Sequence, residues 1–161
     1  MSAARAGIGF DTHRLEVGRR LILGGVEIDG AEAGLAGHSD ADVLTHAVID
    51  ALLGAAGLGD IGQHFPDTDE RWRDADSLDL LRAVVEQLGE AGYKPANIDA
   101  TLACEQPKLA PFRDAMRTRL AESAGLDPAA VNVKFTTGER MGFVGRGEGI
   151  AALAVATVAE A

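Results

Sequence analysis

The stretch SDADVLTHAVIDALLGAAG, residues 39–57, decides how the rest of the chain is interpreted. Its apolar residues recur at helical spacing, and Gly57 follows the last of them, as expected at a helix end. Ser39 is a favoured N-cap residue, and Asp42, three positions later, can close a capping box and favour the positive helix end. We therefore predict a helix from Ser39 to Gly57. The two histidines and two aspartates within residues 37–46 serve either as capping residues or as part of a site.

The segments around this helix combine strand and helix patterns. A glycine pair at 24–25 inside residues 20–28 predicts a hairpin. The loop at 59–72 is rich in Gly, Pro and Asp, and a second, glycine-rich loop covers 138–149. Further strands are predicted at 7–15, 98–104, 131–137 and 150–158, and further helices at 76–91 and 110–124. Because strands and helices are mixed without strict alternation, we predict an α+β fold: one domain of residues 1–161, with a mixed β-sheet and helices packed on one face.

The composition excludes several classes of function. The chain has 161 residues and a formal net charge of -10, whereas a nucleic-acid binder is expected to show a basic patch. Aromatic residues make up only 4%, which disfavours base-stacking surfaces. No apolar run is long enough for a bilayer span, and residues 1–7 lack a signal-peptide pattern. Cys104 is the only cysteine, so an intrachain disulfide is impossible. We expect a cytoplasmic protein without nucleic-acid or membrane partners.

Three residues form a candidate metal site. Asp11 and His13 are two positions apart on a predicted strand, so their side chains share one face. His46 on the helix would add a second nitrogen, giving the three-ligand set that leaves a fourth zinc position open. Asp42 and Asp50 lie one turn to either side of His46 and could orient its imidazole. The alternatives are an Asp–His pair at a surface strand end and an ordinary hydrogen-bonded histidine on a helix.

Two other segments suit phosphate. His38 and Ser39 stand at the predicted helix N-terminus, where free N–H groups favour an anion, although plain capping by Ser39 explains them equally. Thr136, Thr137 and Glu139 offer hydroxyls and a carboxylate to a phosphate and a hard ion such as Mg²⁺, although the same residues suit a turn.

The remaining candidates are weaker. The glycines at 7 and 9 and at 142–149 match neither a dinucleotide fingerprint nor a P-loop, so tight turns are their expected role. Arg146 among them is a cation available to an anion. Cys104 is expected to be a small buried residue rather than a nucleophile.

Taken together, several motifs resemble one family. The segments GFDTH, LILGGVEI, the run from Gly37 to Asp69, QPKLAP and TTGERMGFVGRGEGIA occur in order from about Gly7 to Ala151. They resemble the 2-C-methyl-D-erythritol 2,4-cyclodiphosphate synthases of the non-mevalonate isoprenoid pathway. The resemblance implies an α+β homotrimer with active sites between neighbouring subunits. It also implies a phosphorus–oxygen lyase that converts 4-diphosphocytidyl-2-C-methylerythritol 2-phosphate to the cyclic diphosphate and releases CMP.

The resemblance also implies roles for individual residues. Asp11, His13 and His46 would hold Zn²⁺, Glu139 would hold Mg²⁺ or Mn²⁺ on the diphosphate, and His38 and Thr137 would be catalytic. The region around Arg146 in some members faces a cavity on the trimer axis that takes isoprenoid diphosphates. The implied substrate-binding positions, covering the methylerythritol phosphate pocket, its mobile loop and the cytidine diphosphate side, are Asp11, His13, His38, Ser39, Asp60, Ile61, Gly62, Phe65, Pro66, Asp67, Thr68, Asp69, Cys104, Glu105, Gln106, Pro107, Lys108, Leu109, Ala110, Thr136, Thr137, Gly138, Glu139, Phe143 and Arg146.

The chain departs from the family locally. Members commonly have Ala-Thr-Thr-Thr-Glu where this chain has residues 135–139, FTTGE. Gly138 is expected to loosen this turn, and Phe135 to reshape the cytosine wall. Two rival interpretations remain at this point. A zinc-dependent hydrolase would use Asp42 or Asp60 as a base, and a trimeric binding module would use its histidines structurally.

Overall fold

The computed structural model describes residues 3–161 and contains a mixed five-stranded sheet. The strand order is β4-β1-β7-β5-β6, and every neighbouring pair is antiparallel except β5 and β6. A separate two-stranded hairpin is formed by β2 and β3. The strands are β1 (Arg5–Val17), β2 (Ile22–Leu23), β3 (Val26–Glu27), β4 (Ala33–Leu35), β5 (Tyr93–Ala103), β6 (Val131–Thr136) and β7 (Gly149–Glu160).

Three long helices cover one face of the sheet, as predicted. The helices are α1 (Val43–Ala56), α2 (Ile61–His64), α3 (Ser77–Glu90), α4 (Arg113–Ala124) and α5 (Gly142–Gly145), with 3₁₀ turns at Glu70–Trp72, Ala110–Phe112 and Pro128–Ala130. The core lies between the sheet and α1, α3 and α4, and its apolar residues form one cluster. None of the helices in residues 3–161 is both long and apolar enough to cross a bilayer.

Helix α1 packs unusually close to strand β1. A Cβ on Gly7 or Gly9 would overlap the backbone of α1 at Ala51 and Ala47. The prediction that these glycines mark a tight turn is wrong, because both lie within β1. They are needed there since only a residue without a side chain allows the helix backbone this close.

The opposite face of the sheet carries exposed apolar side chains. Ile8 pairs with Val155, and Phe10 pairs with Leu153, across β1 and β7. Ile8 is 67% exposed and Phe10 is 62% exposed. A contiguous exposed apolar patch of this kind is typical of an interaction surface.

Helix α1 begins later than predicted. Its N-cap is Asp42 rather than Ser39, and the first helical residue is Val43. Ala41 has a φ of 55°, which breaks the right-handed helical path before Asp42. The predicted capping box between Ser39 and Asp42 is therefore wrong, and His46 lies in the first turn of the helix. The predicted end at Gly57 is confirmed, because Gly57 caps the helix in a left-handed conformation.

Other differences concern segment boundaries. Strand β5 begins at Tyr93, before the predicted residue 98. The short strand β4 was not predicted, and the predicted loops at 59–72 and 138–149 contain α2 and α5. The predicted helix from residue 110 begins with a 3₁₀ turn and becomes α-helical at Arg113. The hairpin and the strand at the end of the chain are confirmed.

Candidate active site

The three predicted metal ligands meet in the structure. Ligand atoms of Asp11, His13 and His46 all lie within 4.8 Å of one another. Asp11 and His13 continue the row of β1 residues that begins with Gly7 and Gly9 and faces α1, because alternate residues of a strand share a face. His46 faces them from the first turn of α1. The close packing of β1 on α1 thus brings the strand ligands and the helix ligand together.

The hydrogen bonds of His13 leave one ring nitrogen available. Its Nδ1 lies 2.8 Å from the carbonyl oxygen of Ala36, which can only accept, so Nδ1 carries the proton. The buried Nε2 is 3.0 Å from Asp11 Oδ2 but has no partner with hydrogen-bond geometry. His46 Nδ1 approaches the same carboxylate oxygen at 3.2 Å. Two nitrogens and a carboxylate oxygen converging in this way are suited to Zn²⁺ with an open fourth position.

Burial and the paired histidines affect the pKa values in opposite directions. Burial is the largest influence on Asp11 and raises its pKa, but the neighbouring imidazoles of His13 and His46 together lower that pKa to about 2. For His13, burial acts in the other direction and lowers the pKa. The Asp11 carboxylate outweighs this effect, so the pKa of His13 is raised. Asp11 is therefore ionised at neutral pH and ready to bind a cation.

The two aspartates predicted to orient His46 form hydrogen bonds with other groups instead. Asp42 accepts hydrogen bonds from the backbone N–H groups of Gly24 and Gly25 at 2.9 and 2.7 Å. It also accepts from Thr45, as the N-cap of α1. Asp50 accepts from the Ile61 N–H at 2.7 Å. The prediction that Asp42 and Asp50 hold the imidazole is wrong, because their oxygens are committed to backbone donors of neighbouring loops.

A cavity of about 420 Å³ opens beside the three ligands. Most residues that line it were predicted as substrate positions or metal ligands, whereas Gly37, Trp72 and Leu80 were not. Leu80 lies within the predicted helix 76–91, where nothing in the sequence distinguished it from core residues. Trp72 ends the predicted loop 59–72, which was identified only from its turn residues. The residues that line the cavity are Asp11, His13, Gly37, His38, Ser39, His46, Ile61, Gly62, Phe65, Pro66, Asp67, Trp72 and Leu80.

Besides His13 Nε2, two further ring nitrogens in this wall are buried without a hydrogen-bond partner among residues 3–161. One is His38 Nε2, and the other is the indole Nε1 of Trp72. Trp72 is held edge-on against Phe65, with ring centroids 4.9 Å apart. Buried polar atoms of this kind are costly unless a partner satisfies them. Because an indole N–H can only donate, the wall is suited to a ligand that carries a hydrogen-bond acceptor.

Asp60 and Asp69 stabilise the loop itself. Asp60 forms a capping box with Gln63 at the start of α2. Asp69 caps the turn at Glu70–Trp72 and forms an ion pair with Arg71 at 2.6 Å. Asp60, Thr68 and Asp69 are not among the residues that line the cavity of about 420 Å³.

The predicted cytidine side forms a second cluster. Cys104 N–H donates to the Thr136 carbonyl at 2.9 Å, which joins the segment from Cys104 to Ala110 to the end of β6. Glu105 accepts from the backbone N–H groups of Gly138 and Arg140 at 2.8 and 3.3 Å. The Gly138 N–H is bonded, and a Cβ there would crowd the backbone of Gly145, so the path of this turn requires glycine; that Gly138 loosens the turn stays a prediction.

This second cluster borders a different cavity. Glu105, Gln106, Pro107 and Arg146 line a space of about 540 Å³. Phe143 lines a smaller one together with His13, Arg14 and Glu148, so this space lies next to a metal ligand. The other predicted cytidine-side residues lie in the segments 104–110 and 136–139, outside the lining of the cavity beside the metal ligands. They are Lys108, Leu109, Ala110, Thr136, Thr137 and Glu139. Within one chain, Glu105, Gln106, Pro107 and Arg146 therefore border a cavity that shares no lining residue with the cavity beside the metal ligands.

Cys104 and Glu139 have distinct surroundings. Burial is the main cause that raises the pKa of the Cys104 thiol to about 11, so the expectation that it is not a nucleophile agrees with its environment. Glu139 is exposed, has a φ of 51°, and is not a member of the Asp11–His13–His46 group.

Similarity to known proteins agrees with this geometry. The model of the YgbB family matches residues 4–159. A protein of Symbiobacterium thermophilum named 2-C-methyl-D-erythritol 2,4-cyclodiphosphate synthase is 60% identical over 153 residues, which is 95% of this chain and 97% of the relative. A bifunctional enzyme IspD/IspF of Anaeromyxobacter sp. strain Fw109-5 is 61% identical over 93% of this chain and 38% of its own length.

Solved structures extend the similarity to the fold. The bifunctional IspDF of Campylobacter jejuni superposes with a TM-score of 0.95 at 42% identity, covering 100% of this chain and 43% of that one. A structure of 2C-methyl-D-erythritol-2,4-cyclodiphosphate synthase in a CDP-bound form superposes with a TM-score of 0.87 at 39% identity, covering 96% and 99% of the two chains. The chain spans less than half the length of the bifunctional relatives. It belongs to the YgbB family.

Proposed function

We propose that the protein converts 4-diphosphocytidyl-2-C-methyl-D-erythritol 2-phosphate to 2-C-methyl-D-erythritol 2,4-cyclodiphosphate and CMP. The convergence of Asp11, His13 and His46 beside a cavity lined by unpartnered buried ring nitrogens carries this proposal. Relatives named for that activity support it. In the reaction a 2-phosphate oxygen attacks the β-phosphorus of the same molecule, a P–O bond forms, and the bond to CMP breaks.

The three ligands would hold Zn²⁺, which supplies a Lewis acid for phosphate oxygens when bound. The nucleophile is already anionic, so the chain needs no strong general base. Its residues act by positioning the substrate and offsetting charge. His38 lines the cavity with a buried Nε2 that lacks a partner, and Ser39 lies beside it. His38 and Thr137 are proposed as donors to the transition state, worth about 2–4 kcal/mol each by analogy with other oxyanion sites.

We further propose that the active site is completed by a neighbouring subunit in a homotrimer. The metal side and the cytidine side border different cavities of one chain. The exposed patch around Phe10 and Leu153 supplies the apolar face that such an assembly would cover. The segments Cys104–Ala110 and Thr136–Glu139 would bind the cytidine diphosphate of one site while the cavity near His46 binds the methylerythritol phosphate of another. Phe143 and Arg146 are proposed as further substrate contacts.

We propose that Glu139 binds the second divalent ion. The residue is exposed, and its backbone N–H donates to the Thr137 hydroxyl at 3.2 Å. A carboxylate oxygen ligand suits Mg²⁺ or Mn²⁺ on a diphosphate. Near the trimer axis, Arg146 would offer its charge to an isoprenoid diphosphate, although it now pairs with Glu148 at 3.3 Å.

The hydrolase alternative is weaker, because both of its proposed bases are engaged. Asp42 is fully buried and bonded to four donors, and Asp60 caps α2 outside the lining of the cavity. Its reaction would also insert a water oxygen into the product. Reaction in oxygen-18 water therefore separates the two activities, since intramolecular attack leaves the product unlabelled.

The direct test is CMP release. Purified protein is incubated with the substrate, Zn²⁺ and Mg²⁺, and both CMP and the cyclic product are measured by chromatography. The His38→Ala variant should be about 10²–10³-fold slower in kcat, whereas Arg82→Ala, an exposed residue of α3, should match wild type. Absence of CMP, or a linear hydrolysis product, would refute the proposal. Activity in wild type would also exclude a purely structural binding module.

A further inference from the structure

We propose that Ser77 and Asp40 are positioning residues that hold a proton on His46 Nε2 and thereby direct its Nδ1 toward the metal. No role for Asp40 was predicted from the sequence, and Ser77 was predicted only as a residue at the start of a helix, where it is the first residue of α3. The inference deepens the proposed function and rests on it only in taking His46 as a metal ligand.

The first step is the environment of the Asp40 carboxylate. One oxygen accepts from the Ser77 N–H at 2.9 Å, and the other accepts from the Asp42 N–H at 3.1 Å. That second oxygen also receives a short hydrogen bond from the Ser77 hydroxyl. An ionised carboxylate can only accept, so the single hydroxyl proton of Ser77 points toward Asp40.

The second step concerns the Ser77 hydroxyl oxygen, whose proton points toward Asp40. The Ser77 side chain is completely buried, so no solvent competes for its oxygen. Its oxygen lies 2.8 Å from His46 Nε2. Since the hydroxyl proton is already donated to Asp40, this oxygen accepts, and His46 Nε2 must carry the proton. The Ser39 hydroxyl oxygen lies farther away, at 3.2 Å, and already accepts from Ala41 N–H.

The third step concerns the other ring nitrogen. With its proton on Nε2, a neutral His46 presents a lone pair at Nδ1, the atom that lies 3.2 Å from Asp11 Oδ2. His13 is fixed in the opposite sense, because Ala36 takes its Nδ1 proton and leaves Nε2 free. Each histidine is thus oriented by an acceptor behind it, an arrangement that raises the affinity of metal ligands. For His46 that acceptor is the pair of Ser77 and Asp40.

The test uses Ser77→Ala and Asp40→Asn in the zinc-loaded full chain. Zinc affinity is measured by competition with a chelator, and the His46 ring protons are observed by ¹⁵N NMR. In wild type we expect Zn²⁺ on Nδ1 and a slowly exchanging Nε2 proton. Either variant should bind zinc about 10–100-fold more weakly, with faster exchange of that proton. In Asp40→Asn, an NH₂ group replaces one of the two acceptor oxygens, so either the hydroxyl or the N–H of Ser77 loses its acceptor and Ser77 is held less firmly.

The control is Ser123→Ala, which removes a buried serine hydroxyl with no hydrogen-bond partner. It should bind zinc like wild type. The proposal is overturned if Ser77→Ala retains wild-type zinc affinity, if its Nε2 proton exchanges as slowly as in wild type, or if zinc occupies Nε2. None of these measurements depends on CMP release. An inactive protein with this proton pattern would therefore refute the proposed reaction and leave the positioning role standing.

Discussion

Gly9 of β1 lies so close to Ala47 of α1 that a Cβ on the glycine would overlap the Ala47 carbonyl oxygen. Ala47 follows His46 in the chain, and Asp11 is the next residue of β1 on the same face as Gly9. The separation between strand and helix at this point therefore sets the distance between the carboxylate and the imidazole of the candidate metal site.

Substitution of Gly9 should therefore affect stability and metal binding together. Gly9→Ala must push α1 away from β1, and overpacking of this kind costs about 1–3 kcal/mol of unfolding free energy. Zinc affinity should fall as well, because His46 moves with the helix. Urea unfolding and zinc titration measure the two effects. Gly89→Ala is the control: its Cβ would meet open space within α3, and it should be neutral or slightly stabilising.

The zinc content of histidine variants tests the ligand set directly. His13→Gln and His46→Gln should each lose stoichiometric zinc, since two remaining ligands hold the ion poorly. His64→Gln provides the matched control, because His64 Nε2 bonds to the Leu58 carbonyl and the residue does not line the cavity. Elemental analysis after dialysis measures the metal. Equal zinc in His13→Gln and wild type would contradict the assignment.

Stabilisation by zinc should increase with pH. In the metal-free protein the raised pKa of His13 stabilises the fold below its ordinary value of 6.5, and this contribution disappears as pH rises through the raised pKa. The lowered pKa of Asp11 stabilises the fold above 3.8, and this contribution is lost as pH falls toward about 2. Zinc requires a neutral His13 and an ionised Asp11. The increase in Tm on adding zinc should thus be larger near about pH 8 than near about pH 6.

Thermal unfolding of His13→Gln gives the reference for that measurement. Without the titrating imidazole, the zinc-dependent increase in Tm should be small at both pH values. A larger zinc effect at the lower pH in wild type would contradict the coupling between Asp11 and His13.

Mixed assemblies test whether the two halves of the site come from different subunits. His46→Gln disables the metal side, and Thr137→Ala disables the proposed cytidine side. Each variant alone should be nearly inactive. Co-expression in equal amounts should restore about a quarter of the wild-type sites, since a random trimer pairs two intact halves at that frequency. A mixture no more active than its components would show that both halves act within one chain.

The metal ligands were predictable because they depend on local periodicity. The alternation of β1 places Asp11 and His13 on one face, and the segment containing His46 is strongly apolar at helical spacing. The start of α1 was not predictable in the same way. It depends on the left-handed conformation of Ala41 and on contacts between Asp40 and Ser77, which are 37 positions apart.

The separation of the two half-sites also could not be read from periodicity. It depends on the sheet order, in which β7, at the end of the chain, lies between β1 and β5. The role of Gly9 was missed for a related reason. A glycine inside a strand suggests a bulge or a close backbone approach, and only the packed helix shows which of the two applies.

The position of Trp72 has a practical consequence. It is the only tryptophan in the chain, and it lies in the wall of the cavity beside the metal ligands. Indole emission excited at the red edge of the protein spectrum therefore comes from this one location. The protein carries its own optical probe, and a change in intensity or wavelength when a ligand is added can be assigned to the cavity wall without any chemical label.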